Sequence, residues 1–150
     1  MNMLIEWDLF PKRDFGTSNY PTVLVRKDIE MKSIMIVDDS SFMRKCIKNF
    51  LNKNDYEVVA EAETGIQAVE KYIQYSPDVV IMDITMPKMN GLEALREILR
   101  FDPNAKVIML SSLGDRFNVV ESLRIGAKDF VVKPHLERLN PVIQKILYAS

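Results

Sequence analysis

Six polar residues stand where apolar runs of the sequence give way to breaks. They are Asp38-Asp39 in IMIVDDS, Asp83 in VVIMDITMPKMNG, Ser111-Ser112 in VIMLSSLG and Lys133 in FVVKP. Singly, each has an ordinary explanation: an Asp or Ser after a strand caps the next helix, and a Lys reaches solvent. In one cleft they would do more. Crowded carboxylates repel one another and call for a cation, and hard oxygen donors with room for water suit Mg²⁺ better than a softer metal. Zinc lacks a ligand set, because His135 and Cys46 are the only histidine and cysteine. A divalent ion beside Asp83 would neutralise an incoming phosphoryl group. The Lys133 ammonium would take a further share of its charge, and the Ser111 hydroxyl would hydrogen-bond a phosphoryl oxygen. Asp83 is then the expected nucleophile, forming an acyl phosphate.

Whether these residues meet depends on the elements that carry them. Ser33 to Val37 reads as a short apolar strand, and Phe42, Met43, Cys46, Ile47, Phe50 and Leu51 recur at helical spacing behind a Ser40-Ser41 cap. Glu57 to Glu61 is a second strand. Thr64 opens the next helix with Gln67 at capping-box spacing, and Ile66, Val69 and Ile73 are its expected inner stripe. Asp78 to Met82 is the third strand. Asn90 caps a helix with Glu93 at the third position; Leu92, Leu95, Ile98 and Leu99 face inward, and Asp102-Pro103 stops it. Lys106 to Leu110 is the fourth strand, a helix from about Asp115 to Ile125 ends at Gly126, and Asp129 to Val132 is the fifth strand. Asn140-Pro141 starts a last helix, with Pro in the first turn where its missing N–H costs nothing.

Strands alternating with helices predict an α/β fold: a doubly wound, five-stranded parallel sheet with helices on both faces, since each parallel connection needs a crossover. The strands are apolar throughout, as strands covered on both sides should be. In such a sheet the C-terminal strand ends lie along one edge, and ligands bind in the crevice outside them. Asp38, Asp39, Asp83, Ser111, Ser112 and Lys133 all follow or end a strand, so the fold itself predicts their convergence.

With 150 residues, 47% of them hydrophobic, and a net charge of -1, the chain has the composition of an ordinary globular domain without a basic field to recruit nucleic acid or an anionic membrane. Neither is an expected partner. One cysteine permits no internal disulfide and fits a reducing cytosol, and the expected location is cytoplasmic. The start, MNMLIEWDLFPKRDFG, carries Glu6 and Asp8 where a secretory signal needs a basic start and an unbroken apolar core. Residues 1–30 hold Pro11, Gly16 and Pro21 and no sustained period. They read as a flexible extension, or as residues ahead of a true start at Met31, with the domain over residues 31–150. Trp7, Phe10, Phe15 and Tyr20 would suit a short interaction motif, and Thr22 to Val25 an edge strand.

The segments IMIVDDSSFMRK, MDITMPKMNG, the SS of MLSSLG and GAKDFVVKP, in this order and spacing, resemble the receiver domain of bacterial two-component response regulators, most closely its stand-alone chemotaxis members. The resemblance covers about Met31 to the C-terminus. It implies a flavodoxin-like (CheY-like) fold with strand order 2-1-3-4-5. It makes Asp83 the phosphoacceptor, with Asp38, Asp39, Asp83 and the Thr85 backbone carbonyl around Mg²⁺. Ser111 and Phe130 become the switch pair and Lys133 the phosphoryl-binding lysine, with a cis bond at Lys133-Pro134. A phosphoryl group on Asp83 would draw Ser111 inward, favour the inward rotamer of Phe130 and change the face made by the fourth helix, fifth strand and last helix. Phe130 stands where Tyr is commoner, so packing alone must carry its part, and His135 stands where Phe is usual.

The implied role is a monomeric phosphoacceptor signalling protein, not an enzyme with turnover. A CheA-like histidine kinase lies upstream and a flagellar switch protein downstream; a phosphorelay intermediate is the alternative. No attached DNA-binding output domain is expected at this length, so output goes through a partner protein. Val119, Val120, Arg124, Phe130 and Val132 are the candidate surface, the apolar ones fitting a core equally well. Small Ser112 and modest Thr85 leave a path for water, which predicts a short-to-moderate phosphoryl lifetime. An aspartate-nucleophile phosphohydrolase would read DIT as half of D-x-D-x-T, but Thr85 stands where the general acid is needed. Nucleotide binding lacks a Gly-rich loop after the first strand.

Overall fold

The computed structural model describes residues 31–52 and 56–148. The expectations about Trp7, Phe10, Phe15, Tyr20 and Thr22 to Val25 lie outside the described residues. Along the chain run β1 (Lys32–Val37), α1 (Ser41–Asn52), β2 (Tyr56–Ala62), α2 (Gly65–Tyr75), β3 (Val79–Met82), α3 (Gly91–Phe101), β4 (Val107–Ser111), α4 (Arg116–Ile125), β5 (Asp129–Val132), a 3₁₀ turn (Leu136–Arg138) and α5 (Leu139–Tyr148). The five strands form one parallel sheet in the expected order β2-β1-β3-β4-β5.

Alternation of side chains along each strand divides the apolar residues between two cores. Ile34, Ile36, Ile81, Ile108, Leu110 and Val131 meet Ile47 and Leu51 of α1 and Leu139, Val142 and Ile143 of α5. On the other face Met35, Val37, Val80, Met82, Met109 and Phe130 meet Ala68 and Tyr72 of α2 and Ala94, Leu95 and Ile98 of α3, with Val119 and Ile125 of α4 packed alongside. Burying a side chain such as Ile81 or Leu95 contributes about 2 kcal/mol, so the central strands are held from both sides.

The caps form as the sequence predicts. Ser40 Oγ accepts from the Met43 N–H at 3.1 Å. Asn90 and Glu93 complete a reciprocal capping box at 3.0 Å each way. Thr64 Oγ1 accepts from the Gln67 N–H at 3.0 Å, but Gln67 reaches back to the N–H of Glu63.

Four expectations need correcting. The buried residues of α2 are Gly65, Ala68 and Tyr72; Val69 packs against the core as expected, while Ile66 and Ile73 are exposed. Its start lies against the loop after β3, where Gly65 donates to the Met89 carbonyl at 2.9 Å and an added Cβ would stand 2.1 Å from that oxygen. Close approach, to which glycine contributes no hydrophobicity, chose that face. In α1, Phe42 is 72% exposed and leaves burial to Ile47 and Leu51. The last helix begins at Leu139, behind the 3₁₀ turn, so Asn140 and Pro141 lie in its first turn. Phe130 is buried and Val119 and Val132 are half-buried, so of the candidate surface only Val120 and Arg124 are exposed. No helix among the described residues is long and apolar enough to cross a membrane.

Candidate functional site

Strand register builds the site. In the β1–β3 pairing Val37 lies opposite Met82, so the next residues, Asp38 and Asp83, leave the sheet side by side, and the Asp83 N–H donates to the Val37 carbonyl at 2.9 Å. Asp39 follows at once, and the carboxylates of Asp38, Asp39 and Asp83 each place an oxygen within 4.8 Å of the others. Asp38 and Asp83 are buried and Asp39 is exposed. In the β4–β5 pairing Ser111 lies opposite Val132, and Lys133 donates its N–H to the Ser111 carbonyl at 3.1 Å.

Lys133 resolves the cost of burying the acids. Its ammonium donates to Asp38 Oδ2 at 2.7 Å and to Asp83 Oδ2 at 3.0 Å, bridging the two inner carboxylates. Burial opposes the charge of Lys133, yet the hydrogen bonds to Asp38 and then Asp83 outweigh it and hold the ammonium above the ordinary lysine pKa. The backbone supplies the other contacts: Asp38 Oδ1 accepts from the Ser40 N–H at 2.9 Å and Asp83 Oδ1 from the Ile84 N–H at 2.7 Å. Three carboxylates, one open to solvent, are a hard donor set that fits a cation retaining several waters, as Mg²⁺ does.

The expected residues are not all in mutual contact. Ser111 is buried at the end of β4, and its hydroxyl accepts from the Leu113 N–H at 3.1 Å. Phe130 pairs with Met109, two residues before Ser111 and on the same face of the sheet, so one pleat repeat separates the two. Thr85 and Ser112 are exposed beside the site. The Lys133-Pro134 peptide is cis, as the resemblance implies.

Sequence reasoning missed the residues that hold these in place. Arg44 donates to the Asp38 carbonyl at 2.6 Å and pairs with Glu61 at 3.0 Å, while Lys48 takes the other Glu61 oxygen. The signal available was a run of cations at helical spacing, Arg44 and Lys48, facing a Glu on a neighbouring strand. It cannot be read without knowing that α1 packs beside β2.

The model of the response regulator receiver domain matches residues 34–144. The chain belongs to the receiver domain family. Among relatives, the chemotaxis protein CheY of Bacillus subtilis is 54% identical over 115 residues, covering 76% of this chain and 96% of the relative. CheY of Treponema pallidum is 47% identical over 144 residues, covering 91% of this chain and all of the relative. That span exceeds residues 32–150, so it takes in part of the segment before Met31. Among solved structures, a CheX–CheY–BeF₃–Mg²⁺ complex from Borrelia burgdorferi matches with a TM-score of 0.76 and 36% identity, over 81% of this chain and 92% of that one. As a receiver domain, this chain is similar over nearly the whole length of these chemotaxis relatives.

Proposed function

We propose that this receiver domain accepts a phosphoryl group on Asp83 from a histidine kinase in a Mg²⁺-dependent reaction and switches its surface to engage a downstream protein in chemotaxis. The observation carrying this reading is the pairing of Asp83 with Asp38 across β1–β3, with Lys133 spanning both and Asp39 beside them. Asp38, Asp39, Asp83 and the Thr85 backbone carbonyl would hold Mg²⁺, which would offset phosphoryl charge. A carboxylate oxygen of Asp83 attacks phosphorus. The P–O bond forms as the P–N bond of the donor phosphohistidine breaks, and the electron pair leaves on the imidazole nitrogen, which takes a proton from solvent. Lys133 is poised to pair with the added charge and Ser111 to donate to a phosphoryl oxygen, at the expense of the bond it now accepts from Leu113.

Output follows from the same geometry. Ser111 ends β4 one repeat from Phe130, so movement of the β4–α4 loop towards phosphate changes the packing over Phe130 and shifts the face carrying Val120 and Arg124. The domain spans residues 31–150 behind an N-terminal extension, acts only on itself, and works in the cytoplasm as a monomer. A CheA-like kinase and a flagellar switch protein are the proposed partners.

Treatment with acetyl phosphate and Mg²⁺ tests this directly. Intact-mass spectrometry should show one phosphoryl adduct on wild type, none on Asp83→Asn, and none with EDTA. An equal adduct on Asp83→Asn would defeat the assignment. Affinity capture of cell proteins with and without donor then tests the switch, and the same retained set in both would refute it.

A further inference from the structure

Every polar group of Asp38 is engaged. Its N–H donates to the Ala62 carbonyl at 3.0 Å, Oδ1 accepts from Ser40, Oδ2 from Lys133, and its carbonyl accepts from Arg44 Nη1 at 2.6 Å. Asp39 is different. It is exposed, and among the described residues no hydrogen bond holds its carboxylate. The backbone leading into it sets the direction of its Cα–Cβ bond, and the carbonyl that Arg44 holds belongs to the Asp38–Asp39 peptide plane. The guanidinium is itself fixed: Nε donates to Glu61 Oε1 at 3.0 Å, Lys48 and Lys71 hold the Glu61 carboxylate and carbonyl, and the Arg44 side chain is 15% exposed. A planar fork of donors can serve a carbonyl and a carboxylate together, which a lysine cannot do with the same rigidity.

We infer that Arg44 is a positioning residue for the cation: by holding the Asp38 carbonyl it orients the Asp38–Asp39 peptide so that the Asp39 carboxylate converges with those of Asp38 and Asp83. The inference rests on the Mg²⁺-dependent reading above. The sign of the effect separates it from simple electrostatics. A positive charge beside an acidic cluster opposes a divalent cation, so as a charge alone Arg44 weakens Mg²⁺ binding and its neutral replacement strengthens it. As a positioning residue it does the reverse, and Glu61 offsets the charge that would otherwise repel the ion.

Isothermal titration of the full chain with Mg²⁺ decides between them, with wild type, Arg44→Met and Arg44→Lys at one ionic strength and folding confirmed by circular dichroism. Arg44→Met should bind about 10-fold more weakly, as loss of an outer support of a metal ligand does. Arg44→Lys keeps the charge and one donor and should fall between, about threefold weaker. At saturating Mg²⁺ the phosphoryl yield from acetyl phosphate should return to the wild-type level in both, because Lys133 and Asp83 are untouched. Unchanged or tighter binding by Arg44→Met overturns the inference, as does a yield that excess Mg²⁺ does not restore. Should Arg44→Met fail to fold, Arg44→Lys carries the test, and wild-type affinity in it is the overturning result. Wild type that neither binds Mg²⁺ nor takes up phosphoryl would instead refute the underlying reading, and the inference with it.

Discussion

Gly91 stands so close to Asp83 that a Cβ added to it would lie 1.9 Å from the Asp83 carbonyl oxygen. The Gly91 N–H also donates to the Ile84 carbonyl at 2.7 Å, closing the loop that begins at Asp83. Backbone cannot yield as a flexible side chain can, so Gly91→Ala should lose about 2 kcal/mol or more in urea denaturation. The strain falls on Asp83 itself. Phosphoryl uptake at saturating Mg²⁺ should therefore drop as well, whereas an alanine at exposed Glu93 should leave uptake unchanged.

The same loop turns through two residues in left-handed conformation, Lys88 at φ 51° and Met89 at φ 85°, whose carbonyls accept from the N–H groups of Ile66 and Gly65. Lysine gains nothing local from that conformation, whereas asparagine tolerates it. Lys88→Asn should stabilise the fold by about 0.5–1 kcal/mol, read as a higher urea midpoint with unchanged slope. Met89 is a poorer choice for such a change, because its side chain packs on the core.

Lys133 is the cation that lets Asp38 and Asp83 stay buried together. Lys133→Met leaves two neighbouring carboxylates unpaired, and in EDTA the variant should lose about 2–4 kcal/mol. Mg²⁺ should restore more stability to the variant than it adds to wild type. Adding Asp83→Asn to Lys133→Met should recover part of the loss in EDTA; an equal loss with Asp or Asn at position 83 would show that the two side chains are not coupled.

Glu61 reports on the support beneath the site. The Lys48 ammonium, with Arg44 behind it, holds its carboxyl below the ordinary value of 4.5 against the opposing effect of burial, while Lys71 binds its backbone carbonyl. A carboxyl with a lowered folded-state pKa stabilises the fold above its unfolded value, and that contribution is lost as pH falls through the folded pKa. Glu61→Gln should therefore be less stable than wild type at neutral pH, and the two melting curves should converge in acid below the ordinary glutamate range. A gap that persists there would assign the effect to packing.

Much of this protein is legible without coordinates. The strands fall within one residue of their expected limits at every end, because apolar runs bounded by Asp, Gly and Pro admit few alternatives, and alternation with helices leaves a parallel sheet as the packing solution. The Asn90–Glu93 and Ser40–Met43 caps are local, so local sequence suffices. The α2 face is not legible in the sequence, because Ile66 and Ile73 outweigh Gly65 and Ala68 in hydrophobicity. What packs inward is decided by how closely the backbone must approach Met89.

The sequence by itself determined the sheet, its order through the family resemblance, and the set Asp38, Asp39, Asp83, Ser111 and Lys133 at its strand ends, since period and punctuation are properties of the chain alone. Tertiary structure decided which of these touch. The β1–β3 register sets Asp38 beside Asp83, Lys133 reaches both across the edge of the sheet, Ser111 turns to Leu113, and Arg44 closes on the Asp38 carbonyl from α1. Those choices depend on distances between segments far apart in sequence, which only the packed fold supplies.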